Sequence, residues 1–163
     1  MKPLINHMLL LPLLLSGQSA IDNATVAHLE KIIDMRHQIH QNPELGNREF
    51  KTAELVADHL RSLGFDEIKT AVAHTGVIGI LRGGKPGGVV AVRADMDGLP
   101  VTEDTDLPFK STARTTYLEK EVGVMHACGH DIHTSVQLGV AAVLASIRDE
   151  IPGTIKFIFQ PAE

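Results

Sequence analysis

Cysteine is almost missing from this chain, since Cys128 is the only one among 163 residues. An intramolecular disulfide is thereby excluded. The thiol is a buried inert group, an intermolecular link, a nucleophile or a metal ligand. Runs of lysine and arginine are also lacking. With a net charge of -5 and a pI near 6.0, that argues against nucleic acid or an anionic membrane surface as the main partner. So mild an excess of acid says nothing of substrate charge. No apolar run reaches the roughly 20 residues that a membrane-spanning helix needs, and no internal repeat or low-complexity stretch is present. What remains is a globular composition, 44% apolar and 21% charged, in a length that suits one domain with a real core.

The first residues, MKPLINHMLLLPLLLSGQSA, read as a secretory signal peptide. Lys2 supplies the positive start, Met8 to Leu15 the apolar stretch, and Gly17 and Ser19 the small-x-small cleavage pattern. Residues 1–19 are thus expected to be removed and 20–163 to form the exported chain, periplasmic or secreted. The alternative is an uncleaved amino-terminal anchor.

Helical spacing of Val26, Leu29, Ile32, Ile33 and Ile39 predicts a helix over 24–42, stopped by Asn42-Pro43. A second helix is expected over 47–63, with Phe50, Leu55, Val56, Leu60 and Leu63 on its apolar face and Gly64 beyond. Segments 67–73 and 76–82 read as strands. "GGKPGG" at 83–88 reads as a turn before the strand "VVAVRAD". Residues 95–124 show no period. A helix is expected over 132–148 with Val136, Val140, Val143, Leu144 and Ile147 inward, then a buried strand over 154–160. The fold class is α/β, a mixed and partly parallel sheet flanked by helices.

Three features converge on one sheet edge. Strand "VVAVRAD" ends at Asp95 and is followed by Asp97; strand "IKFIFQ" is followed by Glu163; and "HACGHD" lies directly before a helix. Ligands of open α/β sheets bind beyond the carboxyl ends of the strands. There Cys128 and His130, two apart in an extended loop, project the same way, and thiolate and imidazole suit zinc and similar divalent metals. Asp131 then orients an imidazole or caps the helix. Plainer readings stand beside these. Asp97-Gly98 is turn chemistry, His126 and His133 are structural or solvent-facing, His37 and His40 are surface or packing residues, and Glu163 is a solvated end.

"ADMDGLP" at 94–100, "MHACGHDIHTS" at 125–135 and "FQPAE" at 159–163 resemble the signature blocks of the amidohydrolase branch of metallopeptidase family twenty. That branch comprises hippurate hydrolases, N-acyl-amino-acid amidohydrolases and auxin-conjugate hydrolases. "RHQIHQNPELGNREFKTAELVADHLRSLGF" at 36–65 resembles the group's amino-terminal helix pair. The resemblance runs from about residue 30 onward and implies an amino-terminal portion of a di-metal catalytic domain, without its lid or dimerisation domain. It implies that Cys128 and His130 are metal ligands, Glu163 the general base and Asp97 the acid supporting a ligand histidine. Asp95 stands where related peptidases have a histidine and is left unassigned. The implied cofactors are two divalent ions, manganese or zinc, and the implied substrate is a small N-acyl amino acid. Two ligands fill only part of a coordination sphere, so this polypeptide alone is expected to be inactive, with a poorly covered sheet face and a homodimer only in a full-length form. The alternatives are a non-catalytic metal-binding or interaction product and, among enzymes, a related metallo-dipeptidase or carboxypeptidase.

Overall fold

The computed structural model describes residues 11–163, with side chains from residue 20 onward. Helix α1 (Leu11–Gln41) is followed by α2 (Phe50–Ser62). Strands β1 (Glu67–Val72), β2 (Gly76–Arg82) and β3 (Lys85–Asp95) come next, then a hairpin of β4 (Arg114–Tyr117) and β5 (Lys120–Gly123). Helix α3 (His130–Ser146), a 3-10 turn at Arg148–Glu150 and β6 (Pro152–Gln160) complete the order. The expected signal peptide lies partly outside the described residues. From Leu11 its backbone is already part of α1, which runs unbroken past position 24, where the helix was expected to start. Among the described residues no helix is long and apolar enough to cross a membrane.

The main sheet has the order β1-β2-β6-β3. β6 runs antiparallel to β2 and parallel to β3, with α3 in the crossover. This is the mixed, partly parallel sheet expected. The register sets Val92 beside Phe157, Ala94 beside Phe159 and Asp95 beside Gln160. The segments that leave β3 and β6 therefore start from one edge. Period-2 alternation decides what is buried: Val77, Leu81, Phe157 and Phe159 enter the core, while Ile78, Ile80 and Ile158 face the other way and are half-buried. Val56, Leu60, Leu138 and Ala141 from α2 and α3 close the same cluster, and Phe65 meets Phe157 edge to face at 5.3 Å.

Several expectations fail for identifiable reasons. Val26, Leu29 and Ile33 on α1 and Val136 and Val140 on α3 are exposed, because these helices pack through narrower stripes carrying Met35, Ile39, Leu138 and Ala142, and Phe50 is exposed at the start of α2, where it meets the His74 ring. The turn at 83–88 shrinks to Gly83-Gly84, for Lys85 already pairs with Pro152. The glycines serve close approach instead. Gly153 has φ 81°, and a Cβ there would come within 2.0 Å of the Gly88 carbonyl oxygen. The hairpin inside 95–124 is concealed because its turn uses Leu118 and Glu119 at positive φ, without the glycine or asparagine that usually betrays one. Exposed Val89 and Val90 lie on β3, the edge strand.

Phe157 has no solvent exposure and belongs to the central cluster. Phe157→Ala is expected to cost about 3–5 kcal/mol in urea-unfolding free energy; a loss below about 1 kcal/mol would mean that the sheet does not depend on this core.

Candidate metal centre

At the end of β3 the Asp95 carbonyl accepts the Thr134 hydroxyl at 2.7 Å, which ties the amino-terminal part of α3 to the sheet edge. Gly129 precedes the helix in the left-handed region, φ 91°, a conformation that suits glycine. The helix therefore begins at His130, two residues before the expected start. His130 is not in an extended loop, so it does not share a side with Cys128 through simple i, i+2 alternation. Cys128 is free and exposed, whereas His130 is buried.

His130 Nδ1 donates to the Asp97 carbonyl oxygen at 2.9 Å and lies 3.2 Å from Asp97 Oδ1. In the neutral imidazole that acceptor places the proton on Nδ1 and leaves the lone pair on Nε2. Nε2 is buried and has no hydrogen-bond partner. It faces other acceptors: Glu163 Oε2 lies 3.1 Å away, out of hydrogen-bond alignment, and Asp95 Oδ1 3.6 Å away. His133, one turn on, stacks on His130 with ring centroids 5.7 Å apart, and its Nδ1 lies 2.6 Å from Asp95 Oδ1. Donor atoms of Asp95, His130 and His133 all fall within 4.8 Å of one another. A buried lone pair facing carboxylates is poorly satisfied by protein alone and well satisfied by a cation. These residues fit a divalent metal.

Burial opposes ionisation of Asp95. The His133 hydrogen bond and the charges of His130, His133 and Arg93 outweigh it, and the carboxyl titrates below its ordinary range. Arg93 joins the two strand ends, with Nη1 3.0 Å from Asp95 Oδ2, Nη2 2.9 Å from Glu163 Oε1 and Nε donating to Gln160 Oε1 at 2.9 Å.

Behind the centre, Asp131 neither caps α3 nor touches a ligand imidazole. It is buried against His40 Nδ1 at 2.8 Å and Arg36 Nε at 2.9 Å. His40, expected on the surface or in packing, is buried between Asp131 and Glu103. His37 stacks on Phe109 at 3.9 Å. His126 is buried with neither ring nitrogen hydrogen-bonded.

The structure thus brings Asp95, Asp97, His130, His133 and Glu163 together; Cys128 lies outside the group of three donors, at an exposed position upstream. His133 escaped sequence reasoning because the helix was started too late. Begun at 130, it puts His130 and His133 on one face at i and i+3. Arg93 carried no signal within its apolar strand.

Burial pushes the His126 imidazole down to about 4 from its ordinary 6.5. The charges of Asp131 and Asp97 oppose that, and His40 and His130 add to it. The unfolded chain therefore takes up a proton near pH 6.5 that the folded chain refuses until about pH 4. Metal-free protein is expected to lose stability through that window, by up to about 1.4 kcal/mol per pH unit. His126→Gln removes this slope in urea titrations. An equal slope in both proteins would contradict the assignment.

Residues 91–163 match the model of peptidase family M20/M25/M40. The chain is 49% identical over 132 residues to thermostable carboxypeptidase 2 of Saccharolobus solfataricus, covering 81% of this chain and 32% of that protein. It is 46% identical over 129 residues to hippurate hydrolase of Campylobacter jejuni, covering 79% and 31%. Among solved structures, a dinuclear metal-binding peptidase of the M20 family from Bacillus subtilis superposes with a TM-score of 0.74. That match has 41% identity and covers 84% of this chain and 36% of that one. The chain spans about a third of the length of the curated relatives it matches. Residues 91–163 carry part of the domain of peptidase family M20/M25/M40, and the chain is similar to members of that family beyond those residues.

Proposed function

We propose that these residues serve a metal-dependent amidohydrolase that cleaves the amide bond of small N-acyl amino acids such as hippurate. The observation that carries the reading is the unpartnered, buried Nε2 of His130, set among Asp95, His133 and Glu163. The hippurate hydrolase relative favours this substrate class.

In this reading His130 and Cys128 hold metal, and Asp97 fixes the His130 tautomer through Nδ1. Two divalent ions, manganese or zinc, supply a water of lowered pKa and polarise the scissile carbonyl. Glu163 takes a proton from the attacking water and returns it to the departing amine nitrogen as the carbon–nitrogen bond breaks. Cys128 is free and exposed two residues ahead of His130, so no disulfide or packing competes for its thiolate. Export fits the apolar start of the chain.

A carboxypeptidase acting through the same centre is the second reading, favoured by the 49% identity to the Saccharolobus solfataricus protein over the same region. Both reactions are hydrolyses of a carbon–nitrogen bond beside an amino acid. Relative rates on hippurate and on a dipeptide with a free amino group separate them.

Catalytic zinc ordinarily takes three protein ligands, and two ions need more than Asp95, His130, His133 and Cys128 provide, so further ligands and most of the substrate pocket are expected from beyond these residues. The 163-residue chain supplied with Mn²⁺ or Zn²⁺ is expected to show little or no turnover of hippurate; sustained turnover would overturn that. In a polypeptide of the relatives' length carrying these residues, Glu163→Gln is expected to lower kcat about 10²- to 10⁴-fold, with metal content unchanged. A kcat within threefold of the parent would remove Glu163 from the role of base.

A further inference from the structure

Glu163 leaves β6 through Pro161 and Ala162, and Ala162 has a left-handed backbone, φ 49°. That conformation is unfavourable for a residue with a Cβ, so something must hold it. The Ala162 amide donates to Glu49 Oε1 at 2.9 Å. The other oxygen of Glu49 accepts the Thr75 hydroxyl at 2.5 Å. Glu49 has no solvent exposure, and it directly precedes α2 without capping that helix through its side chain. The first α2 amides are served by Glu44 instead, which accepts from Lys51 N at 3.2 Å and Thr52 N at 2.9 Å. A fully buried carboxylate is thus committed to one amide beside Glu163 and one hydroxyl.

The neighbouring contacts point the same way. Gly46 lies so close that a Cβ there would come within 3.0 Å of the Ala162 Cβ. The next amide, that of Glu163, donates to Asp97 Oδ1 at 3.2 Å. Asp97 also holds His130 through its carbonyl oxygen. Two successive amides are therefore gripped by two carboxylates, those of Glu49 and Asp97, and Asp97 also orients, through its main-chain carbonyl, the histidine that Glu163 faces.

We propose that Glu49 is a positioning residue for Glu163: its carboxylate locks Ala162 in the left-handed conformation from which the Glu163 side chain reaches His130. Glu49 touches neither metal nor substrate and acts through the backbone. The inference rests on the reading of Glu163 as the base beside a metal at His130. Misplacement by about 1 Å is enough to cost such a group most of its effect.

The test uses the isotopically labelled chain, with Co²⁺ as probe and two NMR readouts. These are hydrogen exchange of the Ala162 amide and Co²⁺-induced shifts of side-chain carbons. Glu49→Ala is expected to speed Ala162 exchange at least about tenfold. It is also expected to abolish the induced shift on Glu163 while those on His130 and Asp95 persist. Glu49→Gln keeps an oxygen for the Ala162 amide and an amide group for the Thr75 hydroxyl, and is expected to restore both readouts to within threefold. A general loss of structure would not spare the His130 and Asp95 shifts or yield to the glutamine variant. If Glu49→Ala does not fold, Thr75→Val decides, because removing the partner of Oε2 is expected to speed Ala162 exchange at least threefold. Wild-type exchange at Ala162 in whichever of the two variants folds overturns the proposal. So does an unchanged Glu163 shift in folded Glu49→Ala. Should Co²⁺ move no resonance in the wild type, the metal reading itself fails, and Ala162 exchange still judges the brace.

Discussion

One hydrogen bond organises the site. When His130 is neutral, the Nδ1–H bond to the Asp97 carbonyl leaves the lone pair on Nε2, and the fold buries that nitrogen among carboxylates. A neutral imidazole facing acceptors with no donor between them is a destabilising arrangement in an empty protein. The same arrangement is what a divalent cation requires, since a metal takes the lone pair of a neutral imidazole and the charge of the carboxylates together. The apparent defect and the proposed function have a single cause.

The sheet makes this convergence feasible. Asp95 and Glu163 are far apart in sequence, yet the parallel pairing of β3 with β6 sets Asp95 against Gln160, three residues before Glu163. Arg93 bridges the two carboxylates, and the crossover helix begins with His130 over the same edge. The segment around Glu44 and Glu49 then fastens the loop after β6 from the other side, with Gly98 N donating to the Glu44 carbonyl at 2.7 Å and Ala162 N to Glu49. The α1–α2 connection is therefore part of the site's scaffold, although none of its side chains enters the metal cluster.

How much of this was legible depended on whether local pattern or tertiary contact decided the outcome. Strands β3 and β6 announce themselves as short apolar runs, and the segments at their carboxyl ends carry Asp95, Asp97 and Glu163. The start of α3 was misjudged because Gly129 supplies the entry turn by its backbone, where a side-chain cap would have been readable. That error hid the His130–His133 face. His40 and Asp131 are complementary only across the α1–α3 interface, about ninety residues apart in sequence, where no local period applies. The hairpin at 114–123 depends on Leu118 and Glu119 in conformations that composition argues against. Exposed Val136 and Val140 read as core because helical spacing reports which residues share a face and is silent on whether anything covers that face.

The most direct measurement is anomalous diffraction from crystals of the protein soaked in Mn²⁺. The account predicts an anomalous peak at coordination distance from His130 Nε2, with a carboxylate oxygen beside it and Nδ1 still bonded to the Asp97 carbonyl. A peak held elsewhere, with His130 Nε2 hydrogen-bonded to protein or to ordered water, would contradict it.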